Sequence, residues 1–80
     1  MHLERTRQEL ATIWMQVLDV SQVADADDFF DLGGDSLAAA RMTSMAQRVD
    51  VPLRAVDVLK NPRFGDLQSV VHRKVLDATP

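Results

Sequence analysis

The sequence has 80 residues but no cysteine, only three glycines and only three prolines. Without cysteine the chain cannot form a disulfide, a thiolate metal site or a cysteine nucleophile. No apolar run approaches the roughly 20 residues that span a bilayer, and residues 1–5 lack the apolar core of a secretory signal. With 46% hydrophobic residues, the composition is too apolar for a disordered segment. We therefore expect a cytoplasmic protein without membrane contacts.

The length leaves little room for a catalytic cavity. A chain this short buries only about 60–65% of its unfolded surface, so a deep pocket would take side chains away from the core. Length and composition together predict one domain over residues 1–80 and argue against a self-contained enzyme.

Basic side chains are missing from residues 8–40, which hold seven acids: Glu9, Asp19, Asp25, Asp27, Asp28, Asp31 and Asp35. The rest of the chain holds five acids and all nine basic residues, so a local charge of −7 lies beside one of +4. Phosphates would be repelled by the acidic stretch, and we expect no nucleic-acid partner. A basic protein surface is the more natural partner.

Apolar residues recur at helical spacing in four segments, residues 3–18, 36–49, 53–59 and 64–76. The first segment carries the only tryptophan, Trp14, which we expect to anchor the core. Residues 19–35 lack such a period. The pattern predicts an all-α four-helix bundle with three main helices, one short third helix and a long first loop.

The same pattern predicts which side chains are buried. In the loop we expect packing from Val20, Val23, Phe29, Phe30 and Leu32. In the second helix, which Pro52 should end, the apolar face comprises Ala38, Ala39, Met42, Met45, Ala46 and Val49. Another face comprises Leu37, Arg41, Ser44 and Arg48. In the third helix we expect Leu53, Val56 and either Val58 or Leu59 to point inward.

The segment Gly34-Asp35-Ser36 predicts a turn followed by a helix start, with either Asp35 or Ser36 as the cap. A serine nucleophile would need a base, an orienting acid and an oxyanion hole. The two histidines are His2, at the terminus, and His72, which has a serine three residues before it. The chain also lacks the last glycine of the Gly-x-Ser-x-Gly elbow. These features argue against a hydrolase.

Residues 29–37 read FFDLGGDSL and closely resemble the signature of peptidyl carrier proteins, the thiolation domains of nonribosomal peptide synthesis. The resemblance extends along most of the chain. Ile13-Trp14-x-x-Val17-Leu18 is similar to the first-helix pattern of that family. The short third helix and its connection are matched by Val51-Pro52-Leu53-Arg54 and Asn61-Pro62.

The resemblance implies that Ser36 accepts 4′-phosphopantetheine from coenzyme A, delivered by a separate phosphopantetheinyl transferase. It places Gly34 in the turn that approaches the attachment site. Asp35 either caps the helix or helps the transferase complex to hold a metal ion. Leu37 and Arg41 would belong to the face that partner domains contact. The arm ends in a thiol, so a chain without cysteine would carry its reactive sulfur on the cofactor.

The resemblance further implies a non-catalytic monomer of antibiotic-type peptide biosynthesis. An adenylation domain or an acyl or aminoacyl ligase would load it, and condensation or tailoring enzymes would unload it. Two alternatives stay open: an acyl carrier protein of a polyketide or fatty-acid pathway, and a helical interaction module without cofactor.

Two positions depart from the family pattern. Asp28 stands where asparagine is frequent, and Arg63 stands where a threonine often caps the last helix. At the second position we expect Asn61, with Pro62 as the first helical residue, to provide the cap instead.

Overall fold

The computed structural model describes residues 3–78, which form four helices. They are α1 (Leu3–Leu18), α2 (Ser36–Arg48), α3 (Ala55–Lys60) and α4 (Phe64–Ala78). Extended pairing within these residues is limited to one isolated bridge between Asp28 and Arg63. The predicted all-α bundle, with its short third helix and long first loop, is confirmed. None of the four helices has the length and apolar composition that a membrane crossing requires.

The core is built around Trp14, which is fully buried in α1. Its ring meets Phe64 of α4 edge to face at a centroid distance of 5.2 Å, and Phe29 of the first loop at 6.1 Å. Such pairs add about 0.5–1.5 kcal/mol to the gain from burial, and the predicted role of Trp14 as core anchor is confirmed. The other buried residues come from all four helices and their connections: Leu10, Ile13, Ala39, Met42, Ala46, Val51, Leu53, Val58, Leu67 and Val71.

The first loop, residues 19–35, lies against the start of α4 and caps it. The amide of Phe64 donates to the carbonyl of Asp27 at 2.9 Å, and the amide of Gly65 donates to the carbonyl of Asp25 at 2.9 Å. These bonds satisfy amides that a helix start otherwise leaves unpaired. The loop therefore does what a capping side chain does elsewhere.

The predicted cap of α4 by Asn61 and Pro62 is wrong. The helix begins two residues after Pro62, at Phe64. The side chain of Asn61 instead donates to the carbonyl of Asp57, in α3, at 3.0 Å. Because the loop carbonyls already serve α4, no side-chain cap is needed there.

Three side chains that were expected to be buried are partly exposed. Phe30 is 47% exposed, because consecutive residues of the tight turn point in different directions and Phe29 takes the core position. Val56 is 41% exposed, because α3 turns Val58 inward and two residues of helix rotate a side chain by about 200°. Val49 is 37% exposed, because α2 has already ended at Arg48.

The end of α2 has a local cause that precedes Pro52. Asp50 adopts a positive φ of 58°, and the amide of Val51 donates to the carbonyl of Ala46 at 2.9 Å. This is the bonding of a Schellman motif, in which glycine normally occupies the position of Asp50. Pro52 follows the motif but does not create it.

Substituting Asp50→Gly should raise the free energy of unfolding by about 0.5–1 kcal/mol. A Cβ in the left-handed region is costly, and a carboxylate at a helix C-terminus opposes the helix dipole. The flexibility of glycine offsets part of the gain. Urea denaturation followed by circular dichroism measures the effect. The control is Asp50→Ala, which removes the charge but keeps the Cβ; an equal gain in both variants would contradict the backbone explanation.

Candidate functional site

Ser36 is the first residue of α2, and its side chain is exposed. The residue before it, Asp35, is the cap. Its Oδ1 accepts a hydrogen bond from the amide of Ala38 at 2.9 Å, and its carbonyl accepts one from the amide of Ala39 at 2.9 Å. Within residues 3–78 the Ser36 hydroxyl makes no hydrogen bond. The capping role that the sequence left open between two residues therefore belongs to Asp35, and the serine hydroxyl is available.

The two glycines before this turn have different functions. Gly33 has a φ of +91°, and a Cβ built there would meet nothing within 4 Å. Gly34 lies directly on the ring of Phe29, where a Cβ would come within 2.6 Å of two ring atoms. Gly33 thus supplies an unusual backbone angle, whereas Gly34 supplies space.

Phe29 holds the turn of residues 33–36 (the serine turn) by its backbone as well as its ring. Its carbonyl accepts from the amide of Gly34 at 2.9 Å, and its own amide donates to the carbonyl of Pro62 at 2.7 Å. Sequence reasoning treated Phe29 only as a packing residue and missed this connection. The adjacent Gly33 and Gly34 were the available signal, since paired glycines often mark a close approach of backbone to another group.

Asp28 stabilises the turn from its other end. Its Oδ1 accepts from the amides of Phe30 and Asp31, at 2.8 and 3.2 Å. An asparagine carbonyl makes the same contacts, so this departure from the family pattern leaves the turn intact.

The predicted partner face of α2 lies on the surface. Leu37 is 69% exposed, and Arg41, Ser44 and Arg48 are exposed along the same side of the helix. An apolar side chain this exposed is normal by itself. Here it directly follows the free serine.

The surroundings of Ser36 contain no catalytic machinery among residues 3–78. His72 lines a small recess between α1 and α4, to which the serine turn contributes no residue. A cleft of about 400 Å³ is lined by Val49, Asp50, Val51 and Pro52 together with residues of α1 and α4. It lies past the far end of α2, about 20 Å along the helix from Ser36. No three histidine or acidic side chains in the described part come together as metal ligands.

The turn fits a phosphate-linked group. Asp35 satisfies the amides of Ala38 and Ala39, while those of Ser36 and Leu37 have no partner within residues 3–78. Unpaired amides and the helix dipole favour an anion at such an end. The hydroxyl is exposed and has no neighbouring group to displace.

A four-helix bundle whose second helix begins at an exposed serine is the arrangement expected of a carrier domain. The family described as the phosphopantetheine attachment site matches residues 8–70, and the chain belongs to that family. Its members carry 4′-phosphopantetheine covalently, and this domain is a carrier domain of the kind found in nonribosomal peptide synthetases. The resemblance stated from residues 29–37 is thereby confirmed.

Several relatives show the same kinship. The nonribosomal peptide synthetase inpB of Emericella nidulans is 39% identical over 74 residues, which cover 90% of this chain and 3% of that protein. Bacitracin synthase 2 of Bacillus licheniformis is 35% identical over 69 residues, 86% of this chain and 3% of the synthase. A solved non-ribosomal PCP domain superimposes with a TM-score of 0.72 at 31% identity, covering 81% of this chain and 84% of that domain. The chain thus spans only a few per cent of the length of these synthetases.

Substituting Gly34→Ala should lower the free energy of unfolding by about 1–3 kcal/mol, because Phe29 must move out of a filled core. Gly33→Ala meets open space and should cost only about 1 kcal/mol for the backbone angle. Nuclear magnetic resonance separates the two causes. The indole signal of Trp14, which packs on Phe29, should shift in the Gly34 variant and stay in place in the Gly33 variant. An unshifted indole signal in the Gly34 variant would contradict the close contact between Gly34 and the ring of Phe29.

Proposed function

We propose that Ser36 is the attachment residue for 4′-phosphopantetheine and that the domain tethers an aminoacyl or other acyl intermediate as a thioester for nonribosomal peptide-type biosynthesis. The observation that carries the proposal is the free Ser36 hydroxyl at the start of α2, beside a residue that already provides the cap. The terminal thiol of the group supplies the acyl-bearing sulfur that a chain without cysteine lacks.

The attachment step needs an external catalyst. The Ser36 oxygen forms a new bond to the phosphorus that carries the pantetheine arm of coenzyme A. The bond from that phosphorus to the adenosine bisphosphate breaks, and the serine proton passes to a base. Because no side chain of residues 3–78 is bonded to the hydroxyl, the base belongs to the phosphopantetheinyl transferase. The exposed turn gives that enzyme access.

Other enzymes perform the chemistry on the cargo. Carrier domains of this family tether intermediates, and in nonribosomal peptide synthetases they work with adenylation and condensation domains. For this chain we propose an adenylation domain or an acyl or aminoacyl ligase as the loading partner and a condensation or tailoring enzyme as the consumer. The domain itself is not an enzyme. Its extent over residues 1–80, its cytoplasmic location and its monomeric state stay predictions.

Leu37 and Arg41 are the proposed contacts for these partners. Leu37 offers an exposed apolar side chain next to the attachment residue, and Arg41 adds a positive charge one turn later on the same side of α2. Charges at such a rim set orientation and association rate more than affinity. The acyl carrier of a polyketide or fatty-acid pathway remains the alternative, and the loading enzyme that acylates the modified chain distinguishes the two.

Incubation with coenzyme A and a broad-specificity phosphopantetheinyl transferase should add one phosphopantetheine group to the chain, as measured by intact-protein mass. Ser36→Ala should abolish the addition, while the matched variant Ser44→Ala, on the exposed side of the same helix, should leave it unchanged. If phosphopantetheine is still added to the Ser36→Ala variant, Ser36 is not the attachment residue. No addition to the parent chain would favour the cofactor-free interaction module.

The variants of Asp35 separate its two proposed roles. Asp35→Asn keeps a capping oxygen, so its stability should be near that of the parent, whereas Asp35→Ala should lose about 1 kcal/mol. Oδ1 makes the cap, and Oδ2 is free for a metal ion of the transferase complex. We therefore expect Asp35→Asn to be modified about tenfold more slowly or worse. An unchanged modification rate in this folded variant would limit Asp35 to capping.

A further inference from the structure

Helix α3 is the shortest element of the bundle. It has six residues, Ala55–Lys60, and only Val58 is fully buried. Val56 and Leu59 are 41% and 40% exposed. Isolated helices this short are not stable in water. Its position therefore depends on its packing against the rest of the domain, which is more extensive on α2 than on α4.

Several of these contacts converge on Asp57. Its Oδ2 accepts from the amide of Arg54 at 2.9 Å, which closes the first turn of α3. The same oxygen accepts from the Nζ of Lys74, in the C-terminal half of α4. The carbonyl of Asp57 accepts from both nitrogens of Asn61, at 2.9 and 3.0 Å, which closes the last turn. One residue thus organises both ends of α3 and joins it to α4.

The pair of Lys74 and Asp57 is partly removed from water, with side chains 32% and 13% exposed. The other ion pair found within residues 3–78, Arg7 with Asp25, has a separation of 3.9 Å and exposures of 56% and 73%. Exposed pairs of the second kind contribute little. A charge-assisted bond to a half-buried carboxylate contributes more, and removing one partner leaves the other without compensation.

The segments on both sides of α3 are held without this pair. Val51 and Leu53, before the helix, are almost fully buried. After the helix, the carbonyl of Pro62 is bonded to the amide of Phe29. Movement of α3 would therefore be confined between these fixed points, leaving α4 and the serine turn in place.

We infer that the ion pair between Lys74 and Asp57 is the pin that fixes α3 against α4, and that breaking it loosens the turns of α3 while Val58 keeps its place in the core. Lys74 is in this sense a positioning residue for the exposed surface of Val56 and Leu59. The inference rests on the proposed function only for the use that partner domains make of that surface. The pin itself is a property of the folded chain.

Amide hydrogen exchange of the unmodified full chain, followed by nuclear magnetic resonance, tests the pin. In Lys74→Met, which keeps the length of the side chain, the Asn61 amide should exchange at least about tenfold faster. The amides of Val71 in α4 and Met42 in α2, which lie inside their helices and carry buried side chains, report on the core and should change by less than about threefold. Arg73→Met, an exposed neighbour with the same loss of charge, is the matched control and should leave all three unchanged.

A rescue variant makes the test specific. Lys74→Arg keeps the positive charge and should restore most of the protection of Asn61. Unchanged protection of Asn61 in Lys74→Met would overturn the inference, as would an equal acceleration of all three amides, which indicates global destabilisation. Because the experiment needs no phosphopantetheine, its failure is distinct from a failure of Ser36 to be modified.

Discussion

Phe29 connects the parts of the molecule that the serine turn depends on. Its ring is fully buried against Trp14 and lies under Gly34. Its peptide groups bond to the turn on one side and to Pro62, between α3 and α4, on the other. A first loop of 17 residues would otherwise cost much conformational entropy to fix. Because Phe29 is part of the core, the turn that carries Ser36 is positioned by the core. The rest of the loop does not have to be rigid for this turn to keep its geometry.

In the buried aromatic cluster, the burial of apolar surface contributes more to stability than hydrogen bonding does. Trp14 is fully buried, yet its Nε1 has no hydrogen-bond partner within residues 3–78. An unsatisfied buried donor costs about 1–3 kcal/mol. The large surface that the indole buries against Phe29 and Phe64 outweighs that cost, since an aromatic side chain of this size buries about 150–250 Å². The cluster joins the loop, α1 and α4, and the backbone bonds from the start of α4 to the loop add to it.

The sequence allowed the helices to be located but not all of their contacts. The apolar stripes predicted four segments to within a few residues, because the period of a helix is a local property. The cap of α4 by the carbonyls of Asp25 and Asp27 and the pairing of Asp57 with Lys74 join residues distant in the chain. No local pattern encodes such contacts. The prediction that Val56 is buried was wrong for a related reason. In a helix of six residues, the packing of neighbouring elements decides which side chains face the core.

At the site, the sequence predicted which residues matter but not which role each of them has. The motif of residues 29–37 singled out Ser36, Asp35 and Gly34, yet the sequence left the cap open between the first two. The structure assigns it to Asp35, and that assignment matters chemically. If the serine were the cap, its side-chain oxygen would accept a hydrogen bond from a helix amide. Because Asp35 provides the cap, the serine hydroxyl is free at a helix end that favours a phosphate group.

A domain of this size has only a small free energy of unfolding, and its stabilising contacts are spread unevenly over the structure. The serine turn is over-determined by a buried ring, a helix cap and an Asx turn at Asp28. Helix α3 has one fully buried side chain and one ion pair to α4. Rigid contacts are thus concentrated at the turn that holds Ser36. The exposed apolar side chains Leu37, Val56 and Leu59 lie where less burial is available, so the surface proposed for partners and the stability of the domain compete for the same residues.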